Sequence, residues 1–98
     1  MPVELDCPLP KHFRRLIEAE LAAYGRRRDG PAGRRRAERI AAGLALLGPE
    51  AAELVRRRYL GRSRSNHEQV MIRLRLDRSA YFRRRDRALA TIAAGMGW

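Results

Sequence analysis

Cysteine is almost missing from this 98-residue sequence: Cys7 stands alone, so no disulfide within the chain can compensate for a small core. Histidine is nearly as scarce. Cys7, His12 and His67 are too few and too dispersed for a zinc site, which usually takes four ligands at close spacing. Acidic residues number half the basic ones and are scattered. The convergent acids and bases of an enzyme pocket are therefore lacking, and neither catalysis nor a cofactor is expected. No apolar run approaches the ~20 residues that span a bilayer, and Met1 to Asp6 is neither basic nor followed by a signal core. The expectation is a cytoplasmic protein without a membrane partner. Strand-period alternation is also lacking, since Val70 to Leu76 fits a half-buried helix at least as well.

What the sequence holds in excess is arginine. Lys and Arg together number 22 against 11 Asp and Glu, for a net charge of +11 and an isoelectric point near 11.5. A GC-rich genome explains arginine in place of lysine, of which Lys11 is the sole example, but not the surplus of bases over acids. A domain so charged is drawn to polyanions by counterion release, which makes nucleic acid the expected partner. Residues 49–98 carry the larger share of the excess. A hydrophobic content of 45% suffices for one compact domain.

Residues 1–10, with Pro2, Pro8 and Pro10, read as an extended arm. From Lys11 to about Arg28, Phe13, Leu16, Ile17, Leu21 and Tyr24 recur at helical spacing, and Phe13 and Tyr24 are expected in the core. Asp29 to Gly33 is turn chemistry. A second helix follows from Arg34 to Leu47, with Gly43 marking a close crossing or a weak point. Residues 11–47 thus form a helical hairpin. The arginines flanking its turn, Arg26 to Arg28 and Arg34 to Arg36, read as a hydrated cluster, with phosphate binding as the alternative. Pro49 opens a third helix that runs to about Leu60. Ser65 or Asn66 caps a fourth, with Val70, Met71 and Leu74 inward. Asp77 caps a fifth from Arg78 to about Ala94, with Tyr81, Ala88, Leu89 and Ile92 in the core and Gly95 to Trp98 as a frayed tail. The fold class is all-α.

Three short helices with a tight turn before a basic last helix describe a helix-turn-helix, here residues 48–98. Leu76 would tuck inward and Tyr81 would anchor the last helix, leaving Arg78, Ser79, Phe82, Arg83 and Asp86 to face base edges in the major groove of double-stranded DNA. Arg83, Arg84 and Arg85 span about 200° of helix, so at most two share a groove. The stems of Arg84 and Arg85 are expected over the core edge, with their heads at phosphate or water. Arg56, Arg57, Arg62, Arg64, Arg84 and Arg87 are the candidates for phosphate, and for the arginines of the third helix and the following loop a solvated face is an equal alternative.

The stretch from Pro49 to Ala93 resembles region 4 of bacterial sigma factors. Within it, Arg58-Tyr59-Leu60 is similar to the Arg-Tyr-aromatic end of the first helix in ArpU- and RinA-like phage transcriptional regulators. Arg78-Ser79-Ala80-Tyr81-Phe82-Arg83-Arg84 is similar to their Ser-Thr-Tyr-Tyr-Arg-Arg recognition helix, and Ile17 to Tyr24 resembles the Glu-x-Glu-Leu-x-x-Tyr segment of RinA-like proteins. Two positions depart from the pattern: Met71 replaces a small residue at the helix crossing, and Arg75 replaces Gly or Asn before the turn. The resemblance implies a phage or prophage regulator that activates late or packaging genes, acting through host RNA polymerase. Two alternatives stay open: a small-terminase-like packaging subunit, and a module that docks on RNA polymerase. A homodimer is left open as well.

Overall fold

The computed structural model describes residues 10–24, 30–60 and 65–97. The expected N-terminal arm before Pro10, the arginines at 26–28, Arg62, Arg64 and Trp98 lie outside the described residues. Within them the fold is all-α, in the order α1 (Lys11–Tyr24), α2 (Gly30–Ala45), α3 (Pro49–Val55), a π-helical turn (Arg56–Leu60), α4 (His67–Leu74) and α5 (Arg78–Gly95).

Local chemistry sets most of these boundaries. Gly48 is the N-cap of α3 and Pro49 occupies its first turn, where a missing N–H costs nothing. Asn66 closes a capping box on α4: its side chain accepts from the Gln69 amide at 2.8 Å, and Gln69 Oε1 accepts from the Asn66 amide at 2.9 Å. Asp77 caps α5 by accepting from the Ala80 amide at 2.7 Å.

Two boundaries differ from the sequence expectation. The Gly30–Gly33 stretch, expected as turn, forms the start of α2, because Pro31 near a helix start again sacrifices only an orphan donor. The third helix does not stay α-helical to Leu60 but widens into a π turn from Arg56. Tyr59 Oη donates to Glu18 Oε2 on α1 at 2.6 Å, and Arg58 Nε donates to His67 Nδ1 on α4 at 3.2 Å, so long-range bonds hold this turn.

The larger core cluster joins Ile17 and Leu21 of α1, Ile40 of α2, Leu47, Ala51 and Val55, Tyr59, and Ala88, Leu89, Ile92, Ala93 and Met96. Segments 11–47 and 48–98 therefore share one interior. Burying each Leu or Ile stabilises it by about 1.5–3 kcal/mol. Gly43 is a close crossing, as its position suggested: a Cβ there would lie 2.6 Å from the Ile92 carbonyl oxygen, and one on Gly95 would lie 2.4 Å from Gly43 Cα. Gly95 and Met96 are consequently part of the packed structure rather than a frayed tail, with Met96 buried. Phe13 is not a core residue. It is 41% exposed and Leu16 is 49% exposed, because α1 turns Ile17 and Leu21 inward instead.

Candidate nucleic-acid interface

A second, smaller cluster of Leu54, Val70, Met71 and Tyr81, flanked by Leu74, Leu76 and Phe82, seats the start of α5 against α4. Between these helices lie only Arg75, Leu76 and Asp77. Arg75 adopts the left-handed conformation at φ 56° and ψ 44°. Its amide bonds to Ile72 O at 3.3 Å and the Leu76 amide to Met71 O at 2.9 Å, the paired bonds of a Schellman ending. Leu76 and Met71 meet in the same cluster, which completes that motif with its hydrophobic contact. The long, unbranched Met71 is itself buried in this cluster.

From this turn α5 divides into two parts. Ala88 to Ala93 are buried, with Ala88, Leu89, Ile92 and Ala93 in the larger core, whereas Arg78, Ser79 and Arg83 are exposed. At about 100° per residue, Ser79, Arg83 and Arg87 fall on one outward stripe, opposite Tyr81, Arg85, Ala88, Leu89 and Ile92. Phe82 forms one edge of this face, whereas Arg78 falls outside the stripe, between the wheel positions of Arg85 and Leu89, and is exposed as the first residue of the helix. The half-buried Phe82 ring meets His67 and Tyr81 edge-on, at centroid distances of 5.2 and 5.0 Å, and the Arg78 and Arg85 guanidinium carbons lie 5.2 and 4.7 Å from its centroid. Arg84 forms the other edge and is ion-paired with Glu50 of α3.

Arg85 differs from the expectation for its head group. Its stem lies over the core edge, but the residue is only 7% exposed and its guanidinium donates to Asp86 Oδ1 through Nε at 3.0 Å and Nη2 at 2.8 Å, not to solvent. The cause is helical spacing, since Arg85 lies four residues after Tyr81 and shares its inward face. Asp86, a candidate base-edge residue, is thereby engaged through one oxygen.

The phosphate candidates Arg56 and Arg57 share one acid. Arg57 Nε donates to Glu53 Oε1 at 2.5 Å, and Arg56 bonds the other carboxylate oxygen. The two guanidinium groups hold the Glu53 carboxyl below its ordinary range. By contrast, no ion pair joins Arg73, Arg75, Arg78 or Arg83 to an acid among the described residues. Arg73 at the end of α4 and Arg75 in the turn, both exposed, were not among the DNA contacts expected from the sequence. Their signal was available, because each is a basic residue next to the helix end that positions α5. Half-buried Arg87 continues the outward stripe.

The node behind this face was also missed. His67 Nδ1 lies 2.6 Å from Tyr81 Oη and accepts from Arg58 Nε. Burial first, then the Arg58 and Arg85 charges, lower the His67 pKa, while burial raises that of Tyr81. Tyr59 is pushed far above the ordinary phenol range, first by burial and then by its bond to Glu18. No group of three or more His, Cys, Asp or Glu suited to a metal ion occurs among the described residues. No described helix is long and apolar enough to cross a membrane. Comparison with protein-family models, characterised proteins and solved structures finds no match to this chain.

Proposed function

We propose that this chain binds double-stranded DNA in a sequence-specific manner as a transcriptional regulator, with α4, the three-residue turn and α5 acting as a helix-turn-helix. The observation that carries this reading is the division of α5: its second half is locked in the core, while on its first half Ser79 and Arg83 stand outward and Arg78 is exposed at the helix start. A helix with its side chains is about 10–12 Å across, which suits a major groove about 12 Å wide. Arg83 offers a bidentate contact to guanine, and Ser79 and Asp86 can meet other base edges. Arg73, Arg75 and Arg87 flank these residues and would meet phosphate, which positions the helix without selecting sequence.

The resemblance to ArpU- and RinA-like regulators extends this to a phage or prophage activator of late or packaging genes that acts with host RNA polymerase. The packaging-subunit reading draws on a different feature, the exposed Phe13 and Leu16 of α1. A ring of subunits by sedimentation favours packaging; a monomer or dimer favours regulation. Selection of bound fragments from a random duplex pool at near-physiological salt tests DNA reading itself. Enrichment of a defined motif is the expected result, and unbiased recovery of all sequences would contradict it.

A further inference from the structure

His67 lies at the meeting point of three elements, and no role in DNA contact accounts for its placement. It is the first residue of α4, and its Nδ1 faces Arg58 of the π turn at 3.2 Å and Tyr81 of α5 at 2.6 Å. Arg58 can only donate, so its bond requires Nδ1 as the accepting nitrogen and places the ring proton on Nε2, whereas the Tyr81 hydroxyl can pair with Nδ1 in either role. Edge-on packing against Tyr81 at 5.4 Å and Phe82 at 5.2 Å fixes the ring plane. Phe82 in turn lies against Arg78 and Arg85. The imidazole therefore supports, through two aromatic rings, the edge of the face assigned to base contact.

We propose that neutral His67 is a positioning residue for the first half of α5, and that its protonation loosens α5 from α4 and the π turn. This rests on the DNA-binding reading for its consequence, although the joint itself can be observed without DNA. Two effects act in the same direction. A proton on Nδ1 removes the acceptor from Arg58 of the π turn and sets N–H against that donor, while the Tyr81 contact reverses so that Nδ1–H donates to Oη. It also adds a cation beside Arg58 of the π turn and Arg78 and Arg85 of α5, opposed by Glu18 of α1, with the Tyr81 hydroxyl facing the same nitrogen. A histidine that merely contacted phosphate would show the opposite trend, because a polyanion favours the charged ring.

The test uses the full chain and its His67→Asn variant, whose amide oxygen can take the place of Nδ1 and does not titrate. Long-range proton–nitrogen spectra at pH 7.5 should show His67 with the proton on Nε2. Amide-exchange protection factors are then compared at pH 7.5 and at a pH below the His67 midpoint that the same spectra report. Residues 78–86 of the native chain should lose protection severalfold on acidification while residues 88–93 keep theirs, and His67→Asn should show no such loss. A native chain with unchanged protection at 78–86, a variant that loses protection equally, or a proton on Nδ1 at pH 7.5 would each overturn the proposal. Binding of a mixed-sequence 20-base-pair duplex, measured on the same samples at constant ionic strength, separates the two ideas. Absence of duplex binding with the exchange pattern intact refutes the DNA reading and leaves the joint standing.

Discussion

Arginines adjacent in sequence have different surroundings here, and charge alone does not rank them. Arg83 is exposed and lies on the outward stripe, Arg84 is ion-paired with Glu50, and Arg85 is nearly buried on Asp86. Replacing Arg83 by Ala should cost about 1–3 kcal/mol on a selected site and relax base preference there. Competition between selected and scrambled duplexes measures this, with nearly equal loss on both as the contrary result. Glu53 holds Arg56 and Arg57. Glu53→Gln removes a negative charge beside both, so duplex affinity should rise and the dependence of log K on log salt should steepen by up to about 0.9. An unchanged salt slope would show that neither arginine meets phosphate. The inward turn of Arg85 was legible, since it lies four residues from Tyr81; its pairing with Asp86 was not, because adjacent side chains do not ordinarily face one another.

At the level of single elements, caps and turns were the most readable parts of the sequence. Asn66, Asp77 and Pro49 hold the positions their chemistry suggested, since capping depends on residues within one turn. The left-handed Arg75 has a residue-level rationale as well: Gly or Asn would occupy that conformation at lower cost. Arg75→Gly should therefore stabilise the chain by about 0.5–1 kcal/mol, after the greater backbone entropy of glycine is offset. A urea midpoint that falls would contradict this. Gly43→Ala should do the reverse. Its methyl group would meet the backbone of Ile92, which cannot move aside as a flexible side-chain tip can. Overpacking of about 1–3 kcal/mol should outweigh the gain of about 1 kcal/mol in helix propensity. The same urea titration should show a lowered midpoint with an unchanged slope. The π turn had no sequence signal, because the bonds that hold it reach α1 and α4, far along the chain.

For the molecule as a whole, the sequence identified an all-α chain and Tyr81, Ala88, Leu89 and Ile92 among the buried positions of α5, but neither Ala90, Thr91 and Ala93 nor which helix faces would meet. Phe13 and Leu16 obey the same periodicity as Ile17 and Leu21, and only the placement of α1 on α5 and the π turn decides which pair is covered. That packing also links stability to pH in two separate windows. The folded His67 pKa lies below its ordinary value of 6.5, so its contribution is complete above that value and is lost as pH falls through the folded pKa. Glu53, lowered from 4.5, follows the same sign at more acid pH. Urea midpoints should accordingly decline in two steps on acidification. His67→Asn should abolish the first step and Glu53→Gln should only diminish the second, to which other paired carboxylates contribute, whereas a single carboxylate-range step in the native chain would contradict the His67 assignment.

DNA reading by the first half of α5 is tested most directly by titrating the labelled protein with a selected duplex and following backbone amide resonances. Shifts and broadening should concentrate between Arg73 and Arg87, with Ala88 to Ala93 little affected. Perturbations centred on α1 or α2, with residues 78–87 silent, would place the nucleic acid elsewhere and remove the basis for assigning α5 as the reading helix.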